Sequence, residues 1–154
     1  MHVSVNGVRL FFDVEGAKFV PDGPVMREKP VLLMLHGGPG ADHSIYRPAY
    51  SALADVAQII YLDHRGNGRS EDGPRQDWNL AQWGDDVHAF CEALGIEPPI
   101  VLGMSFGGMV ALAYATRHPA HPAVASALGG RCLRMADYVS EPAAPRGATA
   151  AGGG

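Results

Sequence analysis

One short segment constrains this chain more than any other. The apolar run Ile100 to Met104 leads into Gly103-Met104-Ser105-Phe106-Gly107-Gly108, and a helical apolar pattern, Met109 to Tyr114, follows at once. A serine made to project from a sharp strand-to-helix turn sits at strained dihedrals, so the residues two before and two after it must lack bulk. Gly103 and Gly107 meet that demand, and Gly108 lets the helix lie close. A helix that opens directly after Ser105 aims the Phe106 N–H at the point where a carbonyl oxygen would gain charge. Ser105 is therefore a candidate nucleophile, although G-x-S-x-G alone is equally a glycine-rich strand-helix turn.

Two further strand ends weigh on that choice. Leu35-His36-Gly37-Gly38-Pro39-Gly40 follows the apolar run Val31 to Leu35, and Asp63-His64-Arg65-Gly66-Asn67-Gly68-Arg69-Ser70 follows Ile59 to Leu62. Three such glycine-rich strand ends in this order resemble the α/β-hydrolase superfamily, and the H-G-G-P-G form resembles its proline iminopeptidase branch, over roughly Val5 to Pro122. The resemblance implies an α/β fold: an N-terminal antiparallel hairpin leading into a mostly parallel sheet flanked by helices, here ending soon after the elbow. It also implies Gly38, or alternatively Gly37, as the second oxyanion donor beside Phe106. His36, Gly37, Pro39 and Gly40 would shape the first loop, and Asp63 and Arg65 would hold backbone in the second. His64 reads as a surface substitution first and a base second, and its place on a strand-end loop keeps the second role open.

The rest of the chain supports the architecture. Val3 to Val5 and Val8 to Val14 flank Asn6-Gly7, the dipeptide suited to a tight hairpin. Gly16 to Lys29 reads as a loop, and a helix is expected near Tyr46 to Leu53. Asn79 to Leu94 is the clearest helix, with Asn79 and Gln82 spaced as a capping box, Gly95 as the stop, and Leu80, Trp83, Val87, Phe90 and Leu94 as its apolar stripe. Asp85, Asp86 and His88 on that helix have no third ligand at useful spacing, so they read as a solvated face and not a metal site. His118 and His121 lie just past the helix after Ser105. At about 1.5 Å per residue they stand ~20 Å from the serine and cannot serve it as base.

A net charge of −4 offers no basic surface for nucleic acid or anionic membrane, and no apolar run reaches the ~20 residues of a membrane helix. Cys91 and Cys132 form neither a C-x-x-C nor a cysteine-histidine cluster, which fits a reducing cytoplasm with no metal or other cofactor. A small peptide or acyl compound is the substrate class expected.

After Pro122 the character changes, because Ala, Gly, Pro and Arg fill twenty of the thirty-two positions from Ala123 to Gly154. We therefore expect a hydrolase unit over 1–122 and a disordered tail over 123–154, as a truncation or frame change near Pro122 would leave. Only Asp137 and Glu141 follow Ser105 as acids, and no histidine follows them. In the superfamily the order is serine, acid, histidine. The resemblance thus implies a serine hydrolase that releases an N-terminal residue, preferably proline, with a small-acyl esterase, lactonase or amidase as alternative. Serine at position 105 disfavours an aspartate-nucleophile dehalogenase or epoxide hydrolase. The opposing reading is a non-enzymatic fragment, inactive alone, that associates through the exposed edge of the elbow strand.

Overall fold

The computed structural model describes residues 1–128 and 132–133. Strands β1 (His2–Val5) and β2 (Val8–Glu15) pair antiparallel across Asn6-Gly7, whose φ angles of 46° and 76° are those the dipeptide is suited to. The expected loop from Gly16 to Lys29 is instead a second hairpin, β3 (Phe19–Asp22) and β4 (Val25–Glu28). Its two-residue turn is Gly23-Pro24, with Gly23 at φ 61°, and Pro21 together with the surrounding charges hid the strand pattern.

The central strands are β5 (Val31–Leu35), β6 (Gln58–Leu62) and, after helix α1 (Leu80–Leu94), β7 (Ile100–Met104). Helix α2 (Phe106–Arg117), β8 (Val124–Leu128) and the two-residue β9 (Cys132–Leu133) complete the described chain. The seven-stranded sheet has the order β1-β2-β6-β5-β7-β8-β9, parallel from β6 through β8 and antiparallel at both ends. This is the expected mostly parallel sheet entered by an antiparallel hairpin. The chain steps from β5 to β6 on one side and then to β7 on the other, so the strand order reverses at β5. Open α/β sheets bind ligands beyond the strand ends at such a reversal.

Both faces of β5 are covered, which explains a strand without polar alternation. Leu33 and Leu35 face α1 and α2 with Trp83, Val87, Phe90, Phe106, Val110 and Tyr114. Leu32 and Met34 face the other way, onto Tyr46, Ala57, Ile59 and Tyr61. Each large side chain fully removed from water, such as Leu33 or Phe90, contributes about 1.5–3 kcal/mol. The expected helix from Tyr46 to Leu53 is two short 3-10 turns, His43–Tyr46 and Ser51–Asp55. Pro48 lies between them and holds Arg47 extended at φ −98°, ψ 141°.

Helix α1 begins where Asn79 Oδ1 accepts the Gln82 N–H at 2.9 Å and stops at Gly95 in the left-handed region. The Gln82 amide turns to Asp86 and not back to the cap. Of the expected stripe, Trp83, Val87 and Phe90 are buried, while Leu80 and Leu94 stay 40% and 37% exposed because they lie at the helix ends, past the sheet. Asp86 is not on a solvated face: it is 2% exposed and is paired with Arg65.

Strands of the sheet lie beyond the expected boundary at residue 122. β8 continues the sheet with parallel register from Val124↔Ile100 to Leu128↔Met104, so β7 is paired on both sides and is not an edge. Its small residues gave a weak sequence signal because they answer a close approach: a Cβ on Gly108 of α2 would lie 2.9 Å from the Ala127 Cβ. Apart from β9, the remainder of the expected tail, with Asp137 and Glu141, lies outside the described residues. No helix among the described residues is long and apolar enough to cross a membrane.

Candidate active site

Ser105 stands at the reversal point, exposed, with φ 52° and ψ −115°. A positive φ at a residue with a Cβ is strained, on the order of 1–3 kcal/mol, and persists only where the surroundings impose it. Here the surroundings are backbone. A Cβ on Gly103 would lie 2.2 Å from the Gly107 oxygen, and one on Gly107 only 1.9 Å from the Leu35 oxygen. The first turn of α2 is thus pressed between its own strand and the end of β5, and the chain can pass from β7 into α2 only by the sharp turn at Ser105.

The loop after β5 meets this turn. A Cβ on Gly37 would fall 3.0 Å from the Met104 oxygen and 3.4 Å from the Ser105 Cβ, so Gly37 lies directly against the serine. His36 sets the next peptide. Its Nε2 accepts the His64 N–H at 3.1 Å, which leaves the proton on Nδ1 to be donated to the Gly37 oxygen at 3.0 Å. The Gly37 carbonyl and the Gly38 amide share one trans peptide plane and point in opposite directions. Holding that carbonyl toward His36 therefore turns the Gly38 N–H to the other side. The Phe106 N–H, at the start of α2, has no acceptor within its helix. Pro39 and Gly40 are exposed, and the Gly40 N–H donates to Asn67 Oδ1 at 2.6 Å.

The loop after β6 braces this arrangement. Asp63 is fully buried; its Oδ1 accepts from the His43 backbone and ring at 2.9 and 2.8 Å, and its Oδ2 accepts the Arg69 N–H at 2.9 Å. Arg65 gives Nε and Nη2 to the two Asp86 oxygens at 2.8 Å each and Nη2 to the Asn6 carbonyl at 3.0 Å, tying the β1–β2 turn, this loop and α1 together. Removing one member of such a buried pair costs roughly 3–5 kcal/mol, because the other is left charged and unpaired. Sequence reasoning missed both His43 and Asp86 as partners, since no local pattern links residues 20 and 21 positions apart.

His64 is not a surface residue. It is 2% exposed, with its ring 4.5 Å from that of His36 and edge-on to Phe106 at 5.5 Å, and its Nε2 is buried without a partner. Burial holds His64 well below the usual histidine range, with repulsion from His36 adding to it, and burial likewise lowers His36. Both rings are bases held neutral in the folded chain, so the unfolded chain takes up protons first. Stability should be intact above the ordinary histidine value of about 6.5 and fall below it, by at most about 1.4 kcal/mol per pH unit for each ring. Urea midpoints between pH 7.5 and 5.5 should show this fall, and His64→Leu should flatten it; a flat wild-type profile would refute the assignment.

Among the described residues the Ser105 hydroxyl makes no hydrogen bond to a histidine. His118 and His121 lie at the far end of α2, twelve or more residues and about 18 Å along the helix. There His118 Nε2 meets Asp85 Oδ1 at 2.8 Å. No group of three His, Cys, Asp or Glu among the described residues is placed to hold a metal ion. The arrangement offers an exposed hydroxyl at a helix start with a second amide-bearing loop against it, which suits stabilising an anion formed at a carbonyl.

Comparison with known proteins agrees with the geometry. Residues 30–128 match the alpha/beta hydrolase fold family. The chain is 33% identical over 97 residues to a proline iminopeptidase of Clostridium botulinum, covering 62% of this chain and 33% of that protein. It is 33% identical over 110 residues to a candidate carbamate hydrolase, RutD, of Caulobacter sp. (strain K31), covering 71% and 38%. The solved enol-lactonase from Burkholderia xenovorans LB400 superposes with a TM-score of 0.68 at 27% identity, over 79% of this chain and 44% of that one. The chain thus spans between a third and two fifths of the length of these curated relatives.

Proposed function

The chain belongs to the α/β-hydrolase family, and on that premise we propose that it carries the nucleophile and oxyanion half of a serine hydrolase of the proline iminopeptidase kind. The observation that carries this reading is Ser105, exposed at φ 52° with Gly37 against its Cβ. Its hydroxyl would attack the carbonyl of a substrate's N-terminal residue, and the Phe106 and Gly38 N–H groups would hold the oxyanion. The amine of the shortened peptide would leave, and water would release the acyl residue from the serine. A base must take the hydroxyl proton. No described histidine reaches it, so we propose that these 154 residues alone are a poor catalyst. Cys91, a buried free thiol, fits the reducing cytoplasm in which we place the protein.

A second reading, hydrolysis of small acyl compounds, is favoured by similarity of the same order to a candidate carbamate hydrolase and an enol-lactonase. Substrate choice separates the two. We expect only slow, residual cleavage of prolyl p-nitroanilide, as suits a serine without a base, lost in Ser105→Ala and with a kcat/KM above that for a simple lactone or an unactivated alkyl ester. A preference for the ester or lactone would replace the first reading by the second, and turnover unaffected by Ser105→Ala would sink both.

A further inference from the structure

We propose that His64 is a positioning residue, the ring that fixes the separation of the Phe106 and Gly38 amides, an inference that rests on the serine-hydrolase reading. Four buried rings stand in a row from α1 to the loop after β5. Trp83 of α1 meets Phe106 edge-on at 4.9 Å, Phe106 meets His64 edge-on at 5.5 Å, and His64 lies 4.5 Å from His36 at 53°. Phe106 and His36, on either side of His64, govern the two donors. Phe106 bears one on its own backbone, and His36 turns the Gly38 N–H through its bond to the Gly37 carbonyl. Among the described residues His64 is the ring that touches both.

The backbone around His64 is held on each side. Its N–H donates to His36 Nε2 at 3.1 Å, and the carbonyl of the next residue, Arg65, accepts the Trp83 Nε1–H at 3.1 Å. The ring therefore cannot draw back from either neighbour without breaking a buried hydrogen bond.

Space filling does not account for an imidazole here. Its Nε2 is buried without a hydrogen-bond partner among the described residues, and an unpaired buried polar atom costs stability that an apolar side chain of similar volume would keep. Natural chains break such local rules at functional sites and compensate elsewhere. What the imidazole supplies is a flat body, able to tilt onto His36 and stand perpendicular to Phe106 at aromatic contact distances. A branched aliphatic side chain offers no such plane, so the two neighbours would settle at another separation. Donors must lie about 2.7–3.1 Å from the forming anion, and a misplacement of ~1 Å costs about 10²-fold in rate.

Labelling of Ser105 by a fluorophosphonate reads that separation. The serine oxygen bonds to phosphorus, fluoride leaves with the electrons of the P–F bond, the hydroxyl proton passes to water, and the phosphoryl oxygen takes the place of the oxyanion. At pH 7.5 His64→Leu should unfold in urea at or above the parent's midpoint, yet label roughly tenfold more slowly, as suits a shift of a fraction of an ångström. A merely structural role would move stability and rate together. His64→Phe, which restores a flat ring, should recover most of the parent's rate. Trp83→Phe keeps a ring against Phe106 but loses the bond to Arg65; it should slow labelling too, and it carries the test if His64→Leu fails to fold. Ile96→Val, a core truncation before β7 and away from the elbow, should lower stability and leave labelling of the folded chain unchanged. Parent-like labelling in His64→Leu, no recovery in a folded His64→Phe, or equal slowing in Ile96→Val would overturn the proposal and leave the serine reading standing. Labelling that survives Ser105→Ala would instead remove the reading on which it rests.

Discussion

Gly107→Ala is expected to abolish the native fold. The added Cβ would lie 1.9 Å from the Leu35 oxygen and 2.6 Å from the His36 oxygen, well inside any tolerated contact. Neither neighbour can yield cheaply. Leu35 ends the fully buried β5, and its carbonyl accepts the hydroxyl of the wholly buried Tyr46 at 2.6 Å. Overpacking a core with side chains that can move costs about 1–3 kcal/mol. Here backbone meets backbone, so the cost should exceed that range and approach the ~5–15 kcal/mol a domain has in total. Gly38→Ala is the contrasting case. Gly38 has φ 57° but nothing within 4 Å of an added Cβ, so only the left-handed strain of about 1–2 kcal/mol applies. Near-UV circular dichroism and urea titration should show Gly107→Ala without cooperative unfolding and Gly38→Ala folded but weakened. Stability of Gly107→Ala within about 1 kcal/mol of the parent would show that α2 does not abut β5 as described.

The contrast bears on what could be read from the sequence. Gly103, Ser105 and Gly107 were legible because close backbone approach leaves a local trace, glycine at fixed offsets from the residue it serves. The hairpin at Asn6-Gly7 and the cap at Asn79 left traces of the same local kind. β8 escaped notice for the opposite reason. Its Ala127 is small because Gly108 of α2 lies against it, and a strand with such small residues looks weak when the pressing partner is out of view. His64 and Asp86 were misplaced because their environments are made by residues remote in sequence. His64 lies under Phe106 and beside His36, and Asp86 receives Arg65 and Asn6. Polarity alone put both outside. Partners at separations of 21 to 80 residues put them inside.

Ser105 itself should react with a fluorophosphonate about 10⁶-fold more slowly than the serine of a complete triad, the loss seen when a protease loses its serine or histidine. A lone serine hydroxyl is a weak nucleophile unless a base takes its proton as it attacks. The nearby candidates fail on position, on prior hydrogen bonds or on basicity. His36 spends Nε2 on the His64 N–H and Nδ1 on the Gly37 carbonyl, and His43 is paired with Asp63. His64 is sealed below the Phe106 ring, and burial makes it a weak base. What remains is the geometry for holding an oxyanion, which in a protease stripped of its triad still gives about 10³ to 10⁴ over water. Intact mass spectrometry should therefore show only slow addition of the probe, confined to Ser105 and absent in Ser105→Ala. Rapid stoichiometric labelling of the parent chain would place a working base within reach of Ser105 and overturn the assignment of an unactivated serine. A slow adduct shared equally by Ser105→Ala would remove Ser105 from the chemistry altogether.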